Sequence, residues 1–142
     1  MNEQDVKNQL ADSFPEKVVE RLLNMTGLGA IQQPDGYARV ERECGDSVEI
    51  FLAVHNRQIR QASFDTPGCG YTLACGSAAV ELATGKSVAE AMQITPDDIS
   101  ELLGGLPRSE FHCAELAVAA LKKALQDFAF RGKDTWKKLY RR

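Results

Sequence analysis

The chain has 142 residues, 44% hydrophobic and 26% charged, with a formal net charge of −3, which suits one soluble domain with a genuine core and argues against a nucleic-acid partner. No apolar run approaches the ~20 residues of a membrane span, and Met1-Asn2-Glu3-Gln4-Asp5 lacks the basic start and apolar stretch of a signal peptide. The expected compartment is a reducing cytoplasm, where the four Cys are thiols or metal ligands more often than disulfides.

Glu3 to Ala11 is read as a short extra helix. Ser13-Phe14-Pro15-Glu16 has capping-box spacing with Pro at the first helical position. Val18, Val19, Leu22 and Leu23 then form an apolar stripe, and Gly27 is the expected stop. After a loop from Gly29 to Gly36, Tyr37 to Glu43 is read as a first strand. Val48, Ile50, Leu52 and Val54 mark a second by alternation, and Ile59 to Phe64 a third after the turn His55-Asn56-Arg57. Short connections predict an antiparallel meander.

From Gly70 onward the pattern is helical. Tyr71 to Thr84 is almost wholly apolar or small, as a buried helix requires, and Gly85 ends it. Ser87 to Glu90 has capping-box spacing. Thr95-Pro96-Asp97-Asp98 opens a short helix that Gly104-Gly105 closes. The last long helix is expected from near Ser109, with Ala114, Ala117, Val118, Leu121, Ala124, Leu125 and Phe128 as its buried stripe. Arg131 to Arg142 is basic, and Trp136 and Tyr140 stand at i, i+4. They are read as an aromatic pair on a short solvated helix, with docking of an acidic partner as the alternative. Strands followed by helices predict an α+β fold, a three-stranded antiparallel sheet with helices packed on one face. One domain is expected over 1–142, with its core at about 14–130.

Three thiols sit at element boundaries: Cys44 in Glu43-Cys44-Gly45-Asp46, Cys69 in Pro67-Gly68-Cys69-Gly70, and Cys113 in Phe111-His112-Cys113. Spacing alone describes unconnected buried thiols equally well, because no C-x-x-C is present. The flanking chemistry favours a ligand set: glycines that let backbone approach a cluster, a carboxylate and an imidazole. Such a set is incompletely sulfur-coordinated and suits iron–sulfur or zinc chemistry. The helix N-terminus is expected to lower the pKa of Cys113. His112 is read as a ligand or proton-handling group. Asp46 is read either as a turn residue satisfying backbone N–H groups or as a hard oxygen ligand. Cys75, inside the apolar helix, is read as a small buried hydrophobe, and His55 as a solvated turn residue.

These residues resemble the IscU/NifU-type iron–sulfur cluster assembly scaffolds. The resemblance is carried by Cys44-Gly45-Asp46, Asp65-Thr66-Pro67-Gly68-Cys69-Gly70, Gly85-Lys86-Ser87, and Leu106-Pro107 before His112-Cys113, and runs from about Phe14 to Phe128. It implies a SufE/NifU-like α+β fold and a scaffold or carrier that is not an enzyme. It implies transient assembly of a cluster, [2Fe-2S] first and [4Fe-4S] as the alternative, on Cys44, Cys69 and Cys113. Asp46 and His112 are the further candidate ligands, Cys113 is the acceptor of persulfide sulfur, and zinc can occupy the same site. The implied partners are a cysteine desulfurase and apo iron–sulfur acceptor proteins; monomer and homodimer both stay open.

Three departures stand out. The IscU-type stretch Leu-Pro-Pro-Val-Lys, recognised by an Hsp70-type chaperone, here reads Leu106-Pro107-Arg108-Ser109-Glu110. Cys75 replaces a frequent Ser. Asn24-Met25-Thr26-Gly27 replaces Asn-Pro-Arg-Asn. Two other functions fit parts of this pattern. A SufE-type persulfide relay needs one reactive Cys and no convergent Asp. A structural zinc domain should unfold on chelation, because metal binding and folding are then coupled.

Overall fold

The computed structural model describes residues 8, 14–43, 45–68 and 70–140, with side chains as far as Arg131. The helix expected over Glu3 to Ala11 lies outside the described residues, apart from Asn8, which is helical. Ser13, the expected cap, also lies outside them. Helix α1 spans Glu16–Leu23, so Pro15 stands just before the first helical residue and not within it. The helix stops short of Gly27. The Asn24 side chain and backbone N–H both donate to the Glu20 carbonyl, at 3.1 and 3.0 Å, and close the last turn there. Gly27, at φ +80, serves instead in a short parallel bridge: Phe64 N–H donates to Gly27 O and Gly29 N–H to Phe64 O, each at 2.8 Å.

Strands β1 (Gly36–Glu41), β2 (Ser47–His55) and β3 (Gln58–Asp65) form the expected antiparallel meander in the order β1-β2-β3. Strand β1 ends two residues earlier than expected, because the chain turns there. Gly45 N–H donates to Arg42 O at 2.9 Å and Arg42 N–H to Asp46 O at 2.8 Å. Asn56 and Arg57 both take positive φ, 53° and 64°, the handedness that matches a two-residue hairpin turn to twisted strands. A bulge follows: Ala53 pairs with Gln61 but Val54 pairs with Ile59, leaving Arg60 over. The extra residue resets the alternation, so Ile59, Ala62 and Phe64 all point into the core.

Helix α2 (Tyr71–Ala83) is buried along most of its length, as its small side chains allow. Short helices α3 (Val88–Ala91) and α4 (Pro96–Leu102) follow, each with a complete capping box, Ser87 with Glu90 and Thr95 with Asp98. A 3-10 turn over Arg108–Glu110 takes up the expected start at Ser109, and helix α5 runs from Phe111 to Tyr140. The expected separate C-terminal helix is the end of α5; the side chains of Trp136 and Tyr140 lie outside the description.

Helix α5 packs on β1 and β2, and α2 on β3 and α5. The core sits between, with Val48, Ile50, Leu52 and Phe64 of the sheet facing Ala114, Ala117, Leu121 and Leu125 of α5. Phe128 of the expected stripe is only partly buried, while Leu116 and Ala120 join it. On the sheet face turned away from this core, Tyr37 and Phe51 pack against each other and the Tyr37 hydroxyl donates to Glu49 at 2.6 Å. No helix among the described residues is long and apolar enough to cross a membrane.

Gly76 marks the closest approach of α2 to the sheet. A Cβ there would lie 2.5 Å from the fully buried Phe64 ring. Gly76→Ala gains up to ~1 kcal/mol of helix propensity but costs about 1–3 kcal/mol by overpacking. The expected net is a loss of roughly 1–2 kcal/mol, read as a lower urea midpoint at unchanged slope. An unchanged or higher midpoint would mean that Phe64 moves aside freely.

Candidate functional site

A cleft of about 470 Å³ opens where the β1–β2 turn, the β3–α2 connection and the start of α5 meet. Asp46 lines it from the first, Pro67, Gly68, Gly70, Tyr71 and Thr72 from the second, and Glu110, His112 and Cys113 from the third, with Phe14 alongside. Cys44 and Cys69 lie outside the described residues. Both neighbours of Cys69, and the carboxylate two residues after Cys44, nevertheless line the same cleft as Cys113.

Local chemistry fixes these segments. The Thr66 hydroxyl donates to the Ser47 carbonyl at 2.5 Å and accepts from Gly68 N–H at 3.0 Å, tying the exit of β3 to the start of β2. Gly70, the cap residue of α2, takes φ +55, and a Cβ there would press on the Phe14 ring at 2.8 Å. Phe14 in turn meets Tyr71 edge-on, with centroids 5.0 Å apart. Small residues therefore leave room for an aromatic wall on one side of the cleft.

Cys113 is 3% exposed and in the first turn of α5, as expected. Its Sγ lies 3.6 Å from His112 Nε2, 3.8 Å from Glu110 Oε2 and 3.7 Å from Thr72 Oγ1. Ligand atoms of Glu110, His112 and Cys113 all fall within 4.8 Å of one another. The expectation of a lowered thiol pKa is reversed. Burial pushes Cys113 up; the Thr72 hydrogen bond opposes this, and the Glu110 and Asp46 carboxylates add to it. Desolvation and two nearby negative groups outweigh the helix end. A cation entering the cleft would relieve all three.

Glu110 and Thr72 are the groups that sequence reading passed over. Glu110 precedes Cys113 by three residues, a helical spacing that brings their side chains together. Thr72 is a polar residue in the first turn of a helix made mostly of apolar or small residues. Cys75 is fully buried and its thiol is pushed up by burial, in keeping with a small core residue. His55 is exposed at the end of β2, as expected. A larger hollow, about 510 Å³, lies elsewhere and is lined by Lys17, Leu82, Lys86, Ile94, Asp98, Glu101 and Leu102. Its lining presents neither thiol nor imidazole, the donors that soft metals prefer.

Residues 13–135 match the family model described as the NifU-like N terminal domain. The chain is 38% identical over 116 residues to the iron-sulfur cluster assembly scaffold protein IscU 1 of Archaeoglobus fulgidus, covering 81% of this chain and 76% of that one. It is 32% identical over 121 residues to the iron-sulfur cluster assembly scaffold protein IscU of Aquifex aeolicus, covering 83% and 77%. In three dimensions it resembles a NifU-like protein (N-terminal) from Brucella abortus, with a TM-score of 0.64 over 85% of this chain and 97% of that one, at 17% identity. That last likeness bears on the fold alone.

Both described thiols are buried, but Cys113 lines the cleft and Cys75 does not. Cys75 is expected to resist iodoacetamide in the folded protein and to react fully in urea, as peptide mass spectrometry would show, because a reagent needs both access and thiolate. Native-state labelling of Cys75 as fast as in urea would contradict its burial.

Proposed function

This chain belongs to the NifU-like N-terminal domain family and is a scaffold for iron–sulfur cluster assembly, a carrier and not an enzyme; from that premise we propose that Cys44, Cys69 and Cys113 hold the growing cluster, with Asp46 and His112 as further ligands. The observation that carries this reading is the shared cleft. Cys113 lines it together with the residues on either side of Cys69 and with Asp46, two residues beyond Cys44. A site that mixes thiolate with carboxylate and imidazole suits cargo that must leave, since four thiolates would hold it durably. The cargo is a [2Fe-2S] cluster, with [4Fe-4S] the alternative, and zinc suits the same donors. The working unit is a single domain over residues 1–142 with its core at about 14–130, and its compartment is a reducing cytoplasm.

Sulfur arrives by exchange. The Cys113 thiolate attacks the terminal sulfur of a persulfide on a cysteine desulfurase; a new S–S bond forms, the old one breaks and the donor thiolate leaves. His112 Nε2, 3.6 Å from Sγ, is placed to take the thiol proton. Apo iron–sulfur proteins are the recipients. The Leu106 to Glu110 stretch departs from the pattern that an Hsp70-type chaperone recognises in IscU-type members.

Anaerobic reconstitution with iron and sulfide tests the scaffold reading. The wild type should develop the visible absorption of a cluster, with iron and acid-labile sulfide both counted. Ser at position 44, 69 or 113 should each abolish or strongly destabilise it. Retention of a full cluster by any of the three would remove that thiol from the ligand set. In a crystal loaded with a single zinc ion the three sulfurs should lie within roughly 4 Å of one another, as bond lengths near 2.3 Å to one metal require.

Incubation with a cysteine desulfurase and cysteine should place the first added sulfur on Cys113. Persulfide mainly on Cys75 would refute the assignment.

Asp46 separates a carrier from a permanent cluster protein. Asp46→Ala removes a hard ligand without touching a thiolate. The variant should still assemble a cluster but deliver it to an apo-ferredoxin more slowly than the wild type. Equal or faster delivery would leave Asp46 as a turn residue only.

A further inference from the structure

The β2–β3 ladder would lose a hydrogen bond beside the cleft but for one side chain. In the register that pairs Glu49 with Asp65 and Phe51 with Ser63, Ser47 falls opposite Pro67. Successive residues of a strand turn their backbone groups to opposite neighbours. Arg42 N–H donates to Asp46 O across the β1–β2 pair, so the next residue, Ser47, turns its carbonyl toward β3. The residue opposite would ordinarily supply the N–H, and proline has none. Ser47 is 2% exposed, and a buried carbonyl left unpaired is costly. The Thr66 hydroxyl supplies the missing donor, 2.5 Å from Ser47 O, and the same oxygen accepts from Gly68 N–H at 3.0 Å. A hydroxyl has one proton to give and lone pairs to receive another, so the two bonds coexist.

We propose that Thr66 is a positioning residue for the cluster site, its hydroxyl latching the segment that carries Cys44 and Asp46 to the segment that carries Cys69. Ser47 directly follows Asp46, and Gly68 directly precedes Cys69. A single oxygen therefore joins the backbone at one residue from each. Pro67 releases the chain from the sheet, and Thr66 keeps the released chain beside it. The latch reaches the third thiol by contact. Gly68 lies against Thr72, whose Cβ would be 3.0 Å from a Cβ at position 68, and Thr72 Oγ1 is 3.7 Å from Cys113 Sγ. Thr66 does not line the cleft; it acts through Gly68, which does, and through the neighbour of Asp46, which also does. Losing the hydroxyl leaves every donor in place and frees two of the segments that present them. The role in holding a cluster rests on the scaffold reading; the latch itself rests on the two hydrogen bonds.

Thr66→Val keeps the branched shape and removes the hydroxyl, and Thr66→Ser keeps the hydroxyl. Amide hydrogen exchange in the metal-free protein reads the latch directly. Gly68 N–H should exchange about tenfold faster in Thr66→Val than in the wild type, the equivalent of one hydrogen bond's net worth, and at the wild-type rate in Thr66→Ser. The reconstituted cluster should lose its visible absorption to an iron chelator at least about tenfold faster in Thr66→Val, the lower end of the cost of losing an outer-sphere partner. Thr66→Ser should restore the wild-type lifetime, which a change in bulk stability from lost side-chain volume would not do. Unchanged Gly68 exchange or an unchanged cluster lifetime in Thr66→Val overturns the proposal, as does Thr66→Ser behaving like Thr66→Val. If Thr66→Val does not fold, Thr66→Ser is read alone: a departure from wild type in either rate shows that the methyl and not the hydroxyl matters, and overturns it too. Wild-type reconstitution keeps the two readings apart. Gly68 exchange sensitive to the hydroxyl while the wild type builds no cluster would sink the scaffold reading and leave the latch standing. A wild-type cluster with Gly68 exchange indifferent to Thr66 would do the reverse.

Discussion

The nearness of helix α2 to the sheet governs the rest of the molecule. Ala74, Cys75, Gly76, Ser77, Ala78 and Ala79 form an unbroken run of small, buried residues. Where Gly76 meets Phe64 there is no space for even a methyl group. Side chains of ordinary size would hold the helix away from β3, and α5, which packs on α2 as well as on β1 and β2, would follow it outward. The start of α2 would then no longer bring Thr72 to the sulfur of Cys113. A close-packed interior transmits such displacements instead of absorbing them. The cleft is thus held by packing that lies a full helical turn or more away from any ligand.

Electrostatics sets the second condition. The cleft gathers two carboxylates around a buried thiol, which is unfavourable for the thiolate until a cation arrives. The arrangement resembles a metal site prepared for loading more than a nucleophile prepared for attack.

Much of this was legible in the sequence. The meander, the two capping boxes, the buried α2 and the stripe of α5 follow from periodicity and end signals that act over a few residues. The misreadings cluster where a longer-range partner decides. Gly27 did not stop α1, because Asn24 closes the helix through its own side chain and Gly27 is drawn into pairing with Phe64. The Cys113 thiol was judged by its helix end, a local effect, and is governed by burial and by Asp46 from another element. Glu110 was passed over because a carboxylate at a helix start has a sufficient explanation without a metal. The ligand set of Cys44, Cys69 and Cys113 was drawn from the chemistry flanking each thiol, and the structure adds that those flanks share one cleft.

The bulge at Arg60 bears on how this hairpin can change over evolutionary time. Between the turn at Asn56-Arg57 and the core residue Ala62, the chain carries an odd residue that the partner strand does not match. Losing it in a single-codon deletion would turn Ile59 from the interior to water, since strand side chains alternate strictly. Gaining one would do the same. Lineages descending from this chain can therefore vary the identity of residue 60 widely, because it is exposed, while its presence is held fixed. Length, not side chain, is the inherited trait at that position.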